Sequence, residues 1–168
     1  MAGNQMMLSI AAMIFLSMLI LNVHSSTTDK LIILYSNEAV IEATGIVQAV
    51  FEEIQTKAFE EYTVLRPAKE RNLLTPVLSL GADSSEAVYT EFDDIDDYNG
   101  LSITDTANVM GEFDLAVLVY YVDETSPYDS SGTRTFIKRV DISITNESLP
   151  TVLESLPHTL FFKKLISY

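Results

Sequence analysis

Five carboxylate and carboxamide side chains crowd into one short stretch, Phe92-Asp93-Asp94-Ile95-Asp96-Asp97-Tyr98-Asn99-Gly100. Side chains of this type support two kinds of chemistry. Carboxylates and carboxamides ligate Ca²⁺, which takes ~6–8 oxygens, and paired carboxylates act as acid and base when their surroundings push their pKa values apart. The register fails the EF-hand loop: with Gly100 at the glycine position, Ile95 falls where the first aspartate is required. Asp and Asn also satisfy backbone donors in turns, and Asn99-Gly100 supplies a positive φ. The stretch therefore reads as a solvated strand end and turn. Asp93, Asp94, Asp96, Asp97 and Asn99 remain a weaker calcium alternative, and a solvated turn gives no environment for acid–base catalysis.

Other chemistry is sparsely provided. The chain has no cysteine and only two histidines, His24 and His158, so disulfides, thiolate nucleophiles and sulfur-based zinc sites are excluded and a histidine triad has almost nothing to draw on. Asn146-Glu147-Ser148 fits the glycosylation acceptor pattern, which is common by chance and is given no role. Lys163 and Lys164 beside Phe161 and Phe162 form a basic-aromatic run that the wet face of a last strand explains. With 24 acidic against 10 basic residues, the net charge of −14 repels phosphate backbones, so nucleic acid is not an expected partner. No catalysis and no cofactor are expected.

The elements that must position these residues begin with an apolar run. Met6 to Val23 is eighteen residues without a charge, with Met6, Leu8, Ile10, Ile14, Phe15, Leu19, Ile20 and Leu21 as its bulky side chains. At ~1.5 Å of rise per residue it reaches roughly 27 Å, close to the ~30 Å hydrocarbon thickness of a bilayer. Three readings compete: a membrane anchor, a secretory signal cleaved after Ser25, and a buried core helix. The run exceeds the ~7–15 residues of a signal core, and no Lys or Arg precedes Met6. A core helix would need a larger partner domain than the remaining chain provides.

Helical spacing resumes at Val40, Ala43, Val47, Val50, Ile54 and Ala58, and Gly45 is the weak point within it. No proline occurs before Pro67, so one helix over residues 1–62 is allowed, although Leu31 to Leu34 also fit a short strand. Residues 63–85, with Pro67, Pro76, Gly81 and the Asp83-Ser84-Ser85 cluster, read as a connecting loop. Strand character follows in Glu86–Phe92, Leu101–Thr106, Phe113–Val122, Arg134–Thr145 and His158–Tyr168. Their separators fit hairpins: Asp97–Gly100, Asp123–Gly132 and Asn146–Pro157. In the fourth run, Phe136, Val140, Ile142 and Ile144 mostly alternate with Lys138, Asp141, Ser143 and Thr145, giving one packed and one wet face. The expected fold is α+β: a long N-terminal helix whose amphipathic part covers a C-terminal antiparallel β-sheet over residues 86–168.

The long apolar helix, the stretch Ile54-Gln55-Thr56-Lys57-Ala58-Phe59-Glu60-Glu61 and the string Phe92 to Gly100 together resemble the type IV pilin-like proteins, nearest to minor pilins of the mannose-sensitive haemagglutinin type. The resemblance spans most of the chain, including Phe136-Ile137-Lys138-Arg139-Val140 and the closing Leu165-Ile166-Ser167-Tyr168. It implies a helix held first in the inner membrane, a periplasmic or extracellular head, and later packing of the helix in a filament core. The implied partners are the membrane and other pilin-like subunits, met through the N-terminal helix in a homo- or hetero-oligomeric pilus or type II secretion pseudopilus. The sequence departs from the family where Gly3 is followed by Asn4-Gln5-Met6-Met7-Leu8, which puts Leu8 where the processing motif carries glutamate. A basic leader is missing, and the C-terminal disulfide of many pilins is impossible. The rival function is a secreted binding module released by cleavage after Ser25.

Overall fold

The computed structural model describes residues 2–168 apart from 66, 84, 85, 87, 107, 108 and 152–157. It divides into two compact units, Met1–Glu38 and Ala39–Tyr168, and helix α1 (Ala2–Thr56) begins in the first and ends in the second. Helix α2 (Glu61–Leu65) follows, then four strands: β1 (Ser102–Asp105), β2 (Phe113–Tyr121), β3 (Ile137–Thr145) and β4 (Thr159–Ser167). The strands form one antiparallel sheet in the order β1-β2-β3-β4, so each pairs with its neighbour in sequence.

In the first unit the apolar run is helical because no glycine or proline interrupts residues 6–35 and its hydroxyls are absorbed locally. Ser9 donates to the Gln5 carbonyl at 2.9 Å and Ser17 to Met13 at 2.8 Å. Thr27 and Thr28 do the same to Val23 and His24 at 2.9 and 3.1 Å, so the helix passes through Ser25–Asp29 without a break. Leu31–Leu34 are helical and not a strand.

In the second unit, Ala43, Val47, Val50 and Ile54 are buried, as the spacing predicts, while Val40 is only half-buried and Ala39 takes the buried place beside it. They share one apolar cluster with Phe113, Leu115, Val117, Val119 and Tyr121 of β2 and Val140, Ile142 and Ile144 of β3. The cross-strand register places Leu115 opposite Ile144, Val117 opposite Ile142, Val119 opposite Val140 and Tyr121 opposite Lys138. Each fully buried Val, Leu or Ile contributes about 1.5–3 kcal/mol, and helix-on-sheet burial of this kind holds the unit together.

Three sequence expectations are corrected. The helix expected to reach residue 62 and stop at Pro67 ends at Thr56. Its backbone is captured by a parallel bridge: the Ala58 N–H donates to the Asp93 carbonyl at 3.0 Å, and the Ala58 carbonyl accepts from the Ile95 N–H at 3.0 Å. Periodicity placed Ala58 in the helix because it has no access to a contact formed thirty-odd residues away in sequence. Second, Glu86–Phe92 is not a strand among its described residues: Tyr89–Glu91 form a 3₁₀ turn. Its aromatic side chains pack in a cluster with Tyr98, ring centroids 5.2–5.9 Å apart, and that packing accounts for the strand-like composition. Third, Asp97–Gly100 therefore closes no hairpin but leads from a 3₁₀ turn, Asp96–Tyr98, into β1. Gly100 does carry the positive φ expected of it, +87°. Residues 84 and 85 of the expected loop, 87 of the expected strand and 152–157 of the last separator lie outside the described residues.

Candidate functional sites: an uncovered apolar helix and a buried lysine–carboxyl cluster

The first candidate lies in the first unit. Met6, Leu8, Ile10, Ile14, Phe15, Leu19, Ile20 and Leu21 are 51–77% exposed, and no residue from 6 to 23 is buried on any side of the helix. Scattered exposed apolar residues are ordinary, but a run of this length that is apolar all round demands an apolar surround. Within the described residues, one helix is long and apolar enough to cross a membrane. Its self-bonded Ser9 and Ser17 hydroxyls leave little polar group to desolvate there.

The second candidate lies in the second unit and was not visible as a site in the sequence. Lys138, expected on the wet face of its strand, is fully buried. The correction follows from parity: Lys138 shares its register with Val140, Ile142 and Ile144, so its side chain enters the core. A buried ammonium must be paired. Its Nζ lies 2.8 Å from Glu60 Oε1, makes an ion pair with Asp96 Oδ1 and donates to the Phe59 carbonyl. The ring centroids of Phe59 and Tyr121 stand 4.5 and 5.4 Å from it. Glu60 receives the Thr75 N–H at 2.7 Å and the Tyr121 hydroxyl, which also contacts the Thr75 carbonyl at 3.0 Å.

The two carboxyls are held differently. Burial pushes Glu60 upward, but the Lys138 charge and the hydrogen bonds from Lys138, Thr75 and Tyr121 outweigh it and hold Glu60 below its ordinary value. Asp96 is buried, and neither of its oxygens receives a hydrogen bond of normal geometry. Burial and the Glu60 charge win over Lys138 there and raise Asp96 to about 7. The cluster thus pairs one cation with one firmly ionised carboxylate and one carboxyl close to neutrality.

The sequence-singled residues Asp94, Asp96 and Asp97 are buried, which corrects the reading of a solvated turn; Asp93 is exposed and Asn99 half-buried. Their turn chemistry is as expected. Asp94 Oδ1 accepts from the Asp96 and Asp97 N–H groups at 2.6 and 3.3 Å, and Asp97 Oδ2 accepts from Asp93 and Asp94 at 3.1 Å each. Asn99 donates to the Leu80 carbonyl and accepts from the Val119 N–H. Burial, then the neighbouring Asp96 and Asp97 charges, raise Asp94 to about 8. Glu86, raised to about 7 by burial and by Asp97, groups with Asp93 and Asp97, and Glu61 groups with Asp93 and Asp94, each set with carboxylate oxygens within 4.8 Å of one another. Three carboxylates are half of what calcium asks for, and one oxygen each of Asp94 and Asp97 is already engaged with backbone donors, so no ion is assigned. Asn146, of the acceptor pattern, is buried and donates to the Met110 and Glu112 carbonyls, a structural role.

The fold is therefore α+β, a long apolar N-terminal helix with a four-stranded antiparallel sheet, compatible with a pilin-like arrangement. Comparison with protein-family models, with curated proteins and with solved structures finds no match.

Proposed function

We propose that this chain is a membrane-anchored structural subunit of the pilin type, contributing its apolar helix to lipid and then to a filament or pseudopilus of like subunits, with no catalysis. The observation that carries the reading is the run 6–23, apolar on every side and exposed at every residue. Lipid satisfies such a surface, and so does a bundle of like helices. The small residues Ser9, Ala11, Ala12 and Ser17 permit the close approach that helix association in an apolar medium uses. The net charge of −14 favours a head directed away from anionic cytoplasmic lipid, in the periplasm or outside the cell.

The test is the mature N-terminus of the protein recovered from membrane, sheared-surface and soluble fractions of its host. A chain beginning at Met1 or Asn4 in the membrane or sheared fraction supports the anchor, and Asn4 would show that Gly3 is accepted for processing without a glutamate at position 8. A chain beginning at Ser26 in the soluble fraction overturns it in favour of a secreted binding module.

A further inference from the structure

We propose that Lys138 and Asp96 condense, within the folded chain, into an amide cross-link between Lys138 Nζ and Asp96 Cγ, with Glu60 moving the protons. The three side chains meet in a pocket sealed from water: Lys138 and Glu60 are fully buried, and Asp96 nearly so. Nζ is in direct contact with Asp96 Oδ1 and 2.8 Å from Glu60 Oε1, and the Phe59 and Tyr121 rings wall it in.

The geometry also separates the two carboxyls by role. Glu60 is held as an anion by the Thr75 N–H and the Tyr121 hydroxyl, and its Oε1, 2.8 Å from Nζ, is placed to take the proton that the ammonium must lose. Neither Asp96 oxygen receives a hydrogen bond of normal geometry, and the carboxyl is buried beside the Glu60 anion, so it is the one available as a neutral acid, the electrophilic form. An ion pair in a dry site bears the cost of desolvating both charges, whereas the amide carries no charge. Fixed proximity of this kind is equivalent to effective concentrations of about 10⁵–10⁸ M. Exclusion of bulk water from the pocket also disfavours the reverse hydrolysis.

The step balances without a co-reactant. The Lys138 ammonium gives one proton to the Glu60 carboxylate, and the free amine attacks Asp96 Cγ, forming the C–N bond. Glu60 returns that proton to the Asp96 hydroxyl, which leaves as water as the C–O bond breaks. The second proton lost by Nζ passes to Glu60, which ends as a neutral acid beside the Tyr121 hydroxyl. Nothing is oxidised or reduced.

Peptide mapping of the full-length protein, solubilised in detergent, denatured and digested, tests this directly. The expected result is a branched peptide joining the Asp96 and Lys138 segments at their summed mass less one water, with Lys138 refractory to amine acylation in the unfolded chain. A Lys138 that acylates fully, in linear peptides of unaltered mass, overturns the proposal, and so does a branch joining Lys138 to Glu60. Glu60→Gln, checked for an unchanged β-sheet signature by circular dichroism, is expected to lose the branched peptide while Lys138 becomes reactive. Persistence of the branch in that variant overturns the role given to Glu60. If that variant does not fold, the map of the unaltered protein still decides whether the cross-link exists.

Discussion

Along residues 6–23 every side chain faces outward and the Ser9 and Ser17 hydroxyls are bonded to their own helix, whereas around Lys138 a cation and two carboxyls are enclosed by groups from β2, β3, the turn at Asp96 and the chain after α1. The first region has its polar demands met and its apolar demands unmet. The second has an apolar setting and polar demands that close only when distant segments come together. A change in the first should therefore alter where the protein goes, and a change in the second should alter whether it folds.

The sharpest way to break that contrast is Lys138→Met. Removing the cross-link and leaving Glu60 and Asp96 buried without their cation should cost about 3–5 kcal/mol, read as a lower denaturation midpoint of the full chain in detergent. A loss below about 1 kcal/mol for the single change would mean that the pocket is wetter than its burial indicates. Next, Ile54→Ala, at a fully buried site, should cost about 2–5 kcal/mol. Ile14→Ala, at an exposed site, should stay within about 0.5 kcal/mol in the same assay. Conversely, Ile14→Arg should leave that midpoint alone and oppose membrane insertion by about 2.5–3.5 kcal/mol, measured as a shift from the membrane to the soluble fraction.

The smallest effect expected is on pH dependence. Asp94, raised from 3.8 to about 8 chiefly by burial, holds its proton more tightly when folded than when unfolded. The stability it contributes is full below the ordinary aspartate value and is lost as pH rises through about 8. The denaturation midpoint should thus be higher near pH 5 than near pH 8.5, and Asp94→Asn, which keeps the acceptor oxygen, should flatten the difference. A midpoint that rises across that interval would show that this carboxyl is ionised when folded.

What could be read from the residues follows the same division. The apolar run, the spacing of Ala43, Val47, Val50 and Ile54, and four of five expected strands depend on local pattern, and the structure bears them out. The end of α1 at Thr56 depends on the bridge to Asp94, and the Lys138 pocket depends on pairing across β2, β3 and two loops, which local pattern does not encode. One sign was present: a lysine in step with Val140, Ile142 and Ile144 breaks the alternation, and a charge in a core register announces a partner. The turn chemistry of Asp94, Asp97 and Asn99 was legible for the same local reason, but its burial was not.

Strand β2 runs nine residues and its outer neighbour β1 only four, which leaves part of one sheet border without a strand beside it. Asn99 closes that gap, its side chain accepting from the Val119 N–H at 2.9 Å while Gly100 donates to the Val117 carbonyl at 3.0 Å and Ser131 to Tyr121 at 2.7 Å. The stretch of β2 capped this way offers a second copy no free ladder to extend. The exposed sheet borders are thereby reduced to the outer sides of β1 and β4, and any strand-to-strand pairing with a second copy falls to those two strands.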